Sequence, residues 1–334
     1  MEEIRILLLR PQTDDPSTVD QSVGARLSAA NSQVDSRIVW REESFQRDDL
    51  ADIERKLGRW QGKIAAVIGA TNVAHSTRLG QLAEQMNLLC FVANNNPAVW
   101  QGRRHVFHIG LPTSQTTSRV AVLIEQTRRR RILLLYDTTE FQARVASSME
   151  AALKAKSLEP RSQAMAPGRE LQTTDGWPEL IYVIFSNEVK AFDIAREITR
   201  QAKDVPVLFG RSLLRESFLT ALRELDREFW FVDMFHRSGM GTDSQNHFMQ
   251  IMAANDVRVP TANHAFGWDG MEYCALALEA TRGDPAAAVE YLESGVTFEG
   301  ASGSCSFSRH DHNGRSGSGP TTLTRWHKEP LEEL

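Results

Sequence analysis

Residues Ile64 to Pro97 read IAAVIGATNVAHSTRLGQLAEQMNLLCFVANNNP, and this stretch decides the fold. An apolar run, Ile64 to Ile68, stops at Gly69 and gives way to a polar loop, Ala70 to Ser76. From Thr77 to Met86 the apolar residues Leu79, Leu82, Ala83 and Met86 recur at helical spacing. A second apolar run, Leu88 to Val92, ends in Ala93-Asn94-Asn95-Asn96-Pro97. The order is strand, loop, helix, strand, loop, a βαβ unit with small and amide-bearing residues at both strand ends. In an open parallel sheet ligands sit beyond the carboxyl ends of the strands, so the two polar loops are expected to share a crevice.

The same grammar extends in both directions. Upstream, Ile4 to Leu9 reads as a buried strand, Thr18 to Asn31 as a helix and Arg37 to Trp40 as a strand. Asp48 and Asp49 precede a helix that runs to Trp60. Downstream, Val106 to Ile109 is a short strand, and Ser114 is placed to cap a helix to Gln126. Strands at Ile132 to Tyr136, Leu180 to Phe185, Val205 to Phe209 and Phe229 to Asp233 alternate with helices. Those helices are expected up to Lys156, from Glu188 to Ala202 and from Leu213 to Leu225. Further helices are expected over Ser244 to Ala254, over Asp269 to Thr281 with Asp269 as N-cap, and after Asp284-Pro285. Leu158 to Pro178 is long and polar and holds no clear helix. Alternation at this spacing predicts an α/β fold with parallel sheets covered on both faces.

The length of 334 residues suits two domains. Thirty-eight basic residues against 43 acidic ones give a net charge of −5, which lends nucleic-acid binding no support. The run Arg128 to Arg131 sits where cations suit a helix C-terminus. Cys90, Cys274 and Cys305 fall in apolar or widely separated settings and read as buried free thiols. No apolar segment reaches 18 residues, so no transmembrane span is expected. The first strand follows Met1-Glu2-Glu3 and is too short for a signal peptide, so the chain is either cytosolic or lacks a leader that preceded it.

Several chemistries lack their residues. No Gly-x-Gly-x-x-Gly follows the first strand, the Gly69 loop lacks the Lys-Ser/Thr ending of a phosphate loop, and there is no Gly-x-Ser-x-Gly elbow. His75 beside Ser76 has no orienting acid. His310 and His312 could ligate a metal, but Asp311, Asn313 and Gly314 make a turn the preferred reading. No catalytic residue, metal or cofactor is assigned.

The order of segments resembles the type I periplasmic solute-binding proteins, the branched-chain amino-acid-binding branch that serves ABC transporters. The matching pieces are AAVIGATNVAHST, NLLCFVANNNPAV, HVFHIGLPTSQTTSRVAVLI, RRILLLYDTTEFQARVASSMEAAL, ELIYVIFSNEVKAFDIAREI and VPVLFGRS. FGWDGMEYCALALEATRGDPAAAVEYLES and FEGASGSCSFSRHDHNG complete the set, which covers most of the chain from about residue 40. The resemblance implies two doubly wound lobes with parallel central sheets, joined by three crossing segments near Pro112, near Phe235 to Gly239 and after Cys305. Residues 1–113 with 237–305 would form one lobe, 114–236 with 306–334 the other, and a ligand would lie between them.

By position, the resemblance assigns ligand contacts to Thr71, Asn72, Val73, Ala93 and Asn95, and from the second lobe to Phe141, Ser186, Asn187, Arg211 and Ser212. His264 and Phe266 would line the same cleft from a first-lobe loop, with Trp268 in the core. Two positions depart from the family. Arg211 and Ser212 stand where amino-acid binders carry an acid for the ammonium group, and Asn95 replaces a hydroxyl residue. An ammonium buried beside a guanidinium is costly, so the expected ligand is a small carboxylate, amide or amino-acid derivative. The implied function is the extracytoplasmic solute-binding component of an ABC uptake system, a non-enzyme that closes like a clamshell on its ligand. An ABC permease would be its partner, and it would act as a monomer or weak dimer. A cytosolic ligand sensor on the same scaffold, signalling to a protein, is the alternative.

Overall fold

The computed structural model describes residues 3–32, 34, 36–69, 72–94, 96–165, 171, 178–237, 239–315, 321–328 and 331–334. The chain divides into two compact units, residues 1–112, 247–255 and 262–317, and residues 113–246, 256–261 and 318–334. The first change of unit falls at Pro112. The later ones fall at residue 246, with a brief return at 256–261, and near residue 317.

The first unit opens with β1 (Ile4–Pro11), α1 (Pro16–Asn31), β2 (Ile38–Phe45), α2 (Leu50–Gly58), β3 (Ala66–Gly69), α3 (Val73–Met86), β4 (Leu89–Val92) and β5 (Val106–His108). Its five strands are parallel in the order β2-β1-β3-β4-β5. β1, β3 and β4 are near-continuous apolar runs because helices cover both faces. The second unit contributes α4 (Thr113–Gln126), β6 (Arg131–Asp137), α5 (Glu140–Ala155), β7 (Glu159–Met165), β8 (Leu180–Ile184), α6 (Glu188–Gln201), β9 (Val207–Phe209), α7 (Glu216–Leu222) and β10 (Phe229–Asp233). Next come α8 (Asp243–Ala254), α9 (Ala262–Ala280), α10 (Pro285–Glu293), β11 (Ser294–Gly300), β12 (Gly303–Ser308), β13 (Thr322–Trp326) and β14 (Glu332–Glu333). The second sheet runs β14-β13-β10-β9-β8-β6-β7, with β13 and β14 antiparallel and the remainder parallel.

Differences from the sequence reading have physical causes. The helix after β3 starts at Val73, not Thr77, because Asn72 caps it by accepting hydrogen bonds from Ala74 N at 2.9 Å and His75 N at 3.4 Å. Ser114 lies inside the first turn of α4 instead of capping it. Glu159 to Met165 is a strand the polar composition hides. Among the described residues it is an edge strand paired with β6 alone, so half its side chains face solvent and Pro160 is tolerated. Arg211 to Leu213 is a 3-10 turn before the short α7, not the start of one long helix. β11, β12, β13 and β14 were not read from the tail at all.

α9 begins seven residues before Asp269, so that residue caps nothing at its own helix end. The helix is buried almost all round and lies against α1 backbone to backbone. A Cβ at Gly24 would sit 1.9 Å from the carbonyl oxygen of His264, and one at Gly267 would sit 1.9 Å from that of Gln21. Asp269, fully buried, instead accepts hydrogen bonds from the backbone N–H groups of Ala301 (2.7 Å) and Ser302 (2.9 Å), and from the Ser302 hydroxyl. Arg315 lies 3.6 Å away and braces the same turn by donating to the carbonyls of Ser302, Gly303 and Ile109. Burial raises the Asp269 carboxyl, opposed by Arg315 and these hydrogen bonds. One turn along α9, Glu272 is pushed up to about 7 by burial, the charge of Asp269 adding to the effect and the Trp268 indole N–H, 3.1 Å away, opposing it.

Gly267→Ala is expected to lower unfolding stability by about 1–3 kcal/mol in urea denaturation. Gly58→Ala, with open space at its Cβ, leaves it nearly unchanged. Asp269→Ala strands the buried Arg315 and should cost about 3–5 kcal/mol. Glu272 carries a raised folded-state pKa, so its contribution is complete below the ordinary carboxyl value and is lost as pH rises toward about 7. Glu272→Gln should therefore match the parent at about pH 4 and exceed it at about pH 8, by at most about 3 kcal/mol.

Candidate functional site

Because the strands of the first sheet are parallel, all their carboxyl ends lie along one edge. The strand order reverses between β1 and β3, the switch point where an open α/β sheet leaves a crevice between diverging helices. Gly69 closes β3 there, and a Cβ on it would meet the Leu9 carbonyl at 2.0 Å, so only glycine permits the approach to β1. The loop after β1 was not singled out from sequence, yet it stands at the switch point. Gln46 donates from its amide to the Gln12 side-chain oxygen at 2.8 Å, and Arg47 donates to the Thr13 hydroxyl at 3.3 Å. The signal was available in the polar run that follows Leu9, but choosing it required the strand order.

Of the expected first-sheet contacts, Thr71 and Asn95 lie outside the described residues. Asn72 is exposed, but its side-chain oxygen is occupied by the α3 cap, which leaves its amide donors. Val73 is the first residue of α3 and 45% exposed, and Ala93 is half-buried. Asn94 accepts from Asn96 N at 2.8 Å and Asn96 from Ala98 N at 3.1 Å, so these two amides shape the turn. His75 Nε2 lies 2.8 Å from the Arg47 carbonyl and its ring meets Phe45 edge-on. His264 and Phe266 are not in a loop. They sit inside α9 and are buried, with His264 Nε2 3.7 Å from Asp20.

The second sheet repeats this arrangement, since β7-β6-β8-β9-β10 has the same relative order as β2-β1-β3-β4-β5. Its switch point lies between β6 and β8. Asp137, the last residue of β6, is buried and holds Lys190 of α6 at 3.0 Å, a pair the sequence reading missed. Ser186 is exposed beyond β8, and Asn187 caps α6 by accepting from Lys190 N at 3.0 Å. Phe141 is the second residue of α5 and 47% exposed. Arg211 follows β9. Burial lowers its guanidinium to about 10, with Tyr182 opposing the shift, so it stays charged at neutral pH. The Ser212 hydroxyl donates to the Phe185 carbonyl at 3.2 Å. The acids at strand ends here are engaged: Asp137 by Lys190, and Asp233 by Arg237 at 2.7 Å, by Thr324 and by two backbone N–H groups.

The arrangement offers hydrogen-bond donors and fixed charge for holding a solute. Among the described residues no group of three or more His, Cys, Asp or Glu side chains is placed to hold a metal. His312 lies with Nδ1 3.0 Å from the Val106 carbonyl and Nε2 3.1 Å from Glu293, while Ser308 and Asp311 exchange backbone hydrogen bonds across the turn read from the sequence. Cys90, Cys274 and Cys305 are buried and free. No helix among the described residues is long and apolar enough to cross a membrane.

No family model and no curated protein sequence matches this chain. Solved structures do. A leucine-binding protein, LivK, of Thermotoga maritima aligns with a TM-score of 0.76 at 15% identity, over 99% of this chain and 97% of its own. The branched-chain amino-acid transporter substrate-binding protein LivJ of Streptococcus pneumoniae, in complex with isoleucine, reaches 0.78 at 16% identity over 100% and 99%. A solute-binding protein of an ABC transporter from R. palustris, in complex with benzoate, reaches 0.73 at 13% identity over 99% and 95%. Two wound parallel sheets of matching strand order, aligned over full length with such proteins, give this chain the α/β fold of the type I periplasmic binding proteins.

Proposed function

We propose that the chain is a solute-binding protein that takes a small polar organic ligand, a carboxylate, amide or amino-acid derivative, and presents it to an ABC-type permease outside the cytoplasm. The observation that carries this reading is the full-length likeness to substrate-binding proteins, with strand-end loops that hold hydrogen-bond donors. Thr71, Asn72, Val73, Ala93 and Asn95 form the proposed set on the first unit, and Phe141, Ser186, Asn187, Arg211 and Ser212 that on the second. His264 and Phe266 leave the set because they are buried within α9. Binding proceeds by clamshell closure, driven by contacts the ligand makes only in the closed state.

Ligand polarity follows from what the loops have left to offer. Asn72 and Asn187 use their oxygens as helix caps and keep their N–H donors. Arg211 carries a positive charge, and Asp137 and Asp233, the acids that end β6 and β10, are paired. On the second unit, a positive charge beside paired acids suits a carboxylate better than an ammonium group. The same fold holds benzoate in one neighbour, a carboxylate with no ammonium, as well as isoleucine in another.

A thermal-shift screen over amino acids, aromatic and aliphatic carboxylates and amides checks this, since binding to the folded state alone raises the melting point. Carboxylates or amides should respond most. Asn95→Ala should abolish the response with the unliganded melt unchanged, and Arg211→Met should weaken a carboxylate by about tenfold or more. A response confined to leucine, isoleucine and valine would sink the argument from Arg211 and Ser212.

A further inference from the structure

The first unit carries a concavity of about 810 Å³ beside its edge strand β5, next to the segment that starts at Pro97 and to the turn around Asp311. It lies wholly within that unit. Arg103, Arg104, Arg309 and His310 line it with Trp100, Pro97 and Pro112, and the carboxylates in the wall are Glu293 and Asp311. A cavity of this size is ordinary for a small-molecule site.

The wall has more cationic capacity than its own acids use. Glu293 is held by His312 at 3.1 Å and, more loosely, by exposed Arg309 at 3.7 Å. Asp311 accepts from Asn313 N at 2.9 Å. Among the described residues Arg104 pairs with Glu290, outside the pocket, at 3.4 Å with both side chains more than half exposed, a contact of little strength. Arg103 has no ion-pair partner among the described residues, and its Nε is buried with no acceptor. The Arg103 stem lies against α3, its Cδ 3.5 Å from where a Cβ on Gly80 would stand. A buried guanidinium N–H without an acceptor carries a desolvation penalty, which a bound oxyanion beside the group offsets.

We propose that this pocket is a second ligand site, specific for an oxyanion group, phosphate or carboxylate, held between Arg103, Arg104 and Arg309 over the Trp100 and Pro97 floor. The site does not rest on the function proposed for the strand-end loops. Planar guanidinium forks give such groups paired hydrogen bonds that lysines would not.

Isothermal titration with sodium phosphate and, separately, sodium citrate, each against sodium chloride at equal ionic strength, tests the site on the full chain. Saturable binding of one of them is expected, and the better anion identifies the source of the oxyanion. Arg103→Gln and Arg309→Gln should each weaken it by about tenfold, while Arg211→Met, on the other unit, leaves it intact. Arg309 is exposed, so its variant keeps the test valid even if Arg103→Gln perturbs packing against α3. No saturable heat with either anion, or binding unchanged in both arginine variants, overturns the proposal. Binding lost in Arg211→Met also overturns it, by assigning the anion to the strand-end loops.

Discussion

One buried carboxylate organises the first unit. Asp269 sits in the middle of α9 with no exposure, where an unpaired charge would be prohibitive. Its oxygens are filled from a different part of the chain, by the turn between β11 and β12, and Arg315 supplies the counter-charge while also reaching the Ile109 carbonyl at the exit of β5. A helix, a hairpin and the end of an edge strand are thus tied at one point. The packing around it leaves no slack: a Cβ on Gly300 would meet the Tyr273 hydroxyl at 2.0 Å. With α9 fixed on that side and pressed against α1 through Gly24 and Gly267 on another, the carboxyl ends of β1 and β3 are held on a firm base.

The loops on that base show how structural and binding roles divide within single residues. Asn72 and Asn187 begin α3 and α6, each at a switch point of its own sheet, and each uses its oxygen on helix N–H groups. An amide has two ends, so the part the fold does not use faces outward as a donor. Aspartate in the same position would cap equally well and offer no donor. The matching strand orders of the two sheets make this pairing of roles recur, since the same winding places a cap at the same point twice.

Much of this was legible in the sequence, and the misses share a cause. The strands of the parallel sheets, buried on both faces, write themselves as apolar runs, which is why β1, β3, β4, β6, β8 and β10 are readable from composition alone. β7 is polar because an edge position lets it be. The first turns of α9 carry apolar residues on every side, so no helical period marks them, and His264 and Phe266 read as loop when they are core. Asp269 resembles an N-cap in sequence, and only the three-dimensional partner at residues 301–302 shows which backbone it caps. Asp137 and Lys190, 53 positions apart, have no local signature at all.

The three thiols add a separate consequence. Cys90, Cys274 and Cys305 are all buried and unpaired, and burial, the leading cause in each case, raises their pKa values. A thiol held protonated in an apolar interior is a poor nucleophile for disulfide exchange. Attack by these thiols on an outside disulfide is therefore disfavoured, and none of the three cross-links the chain.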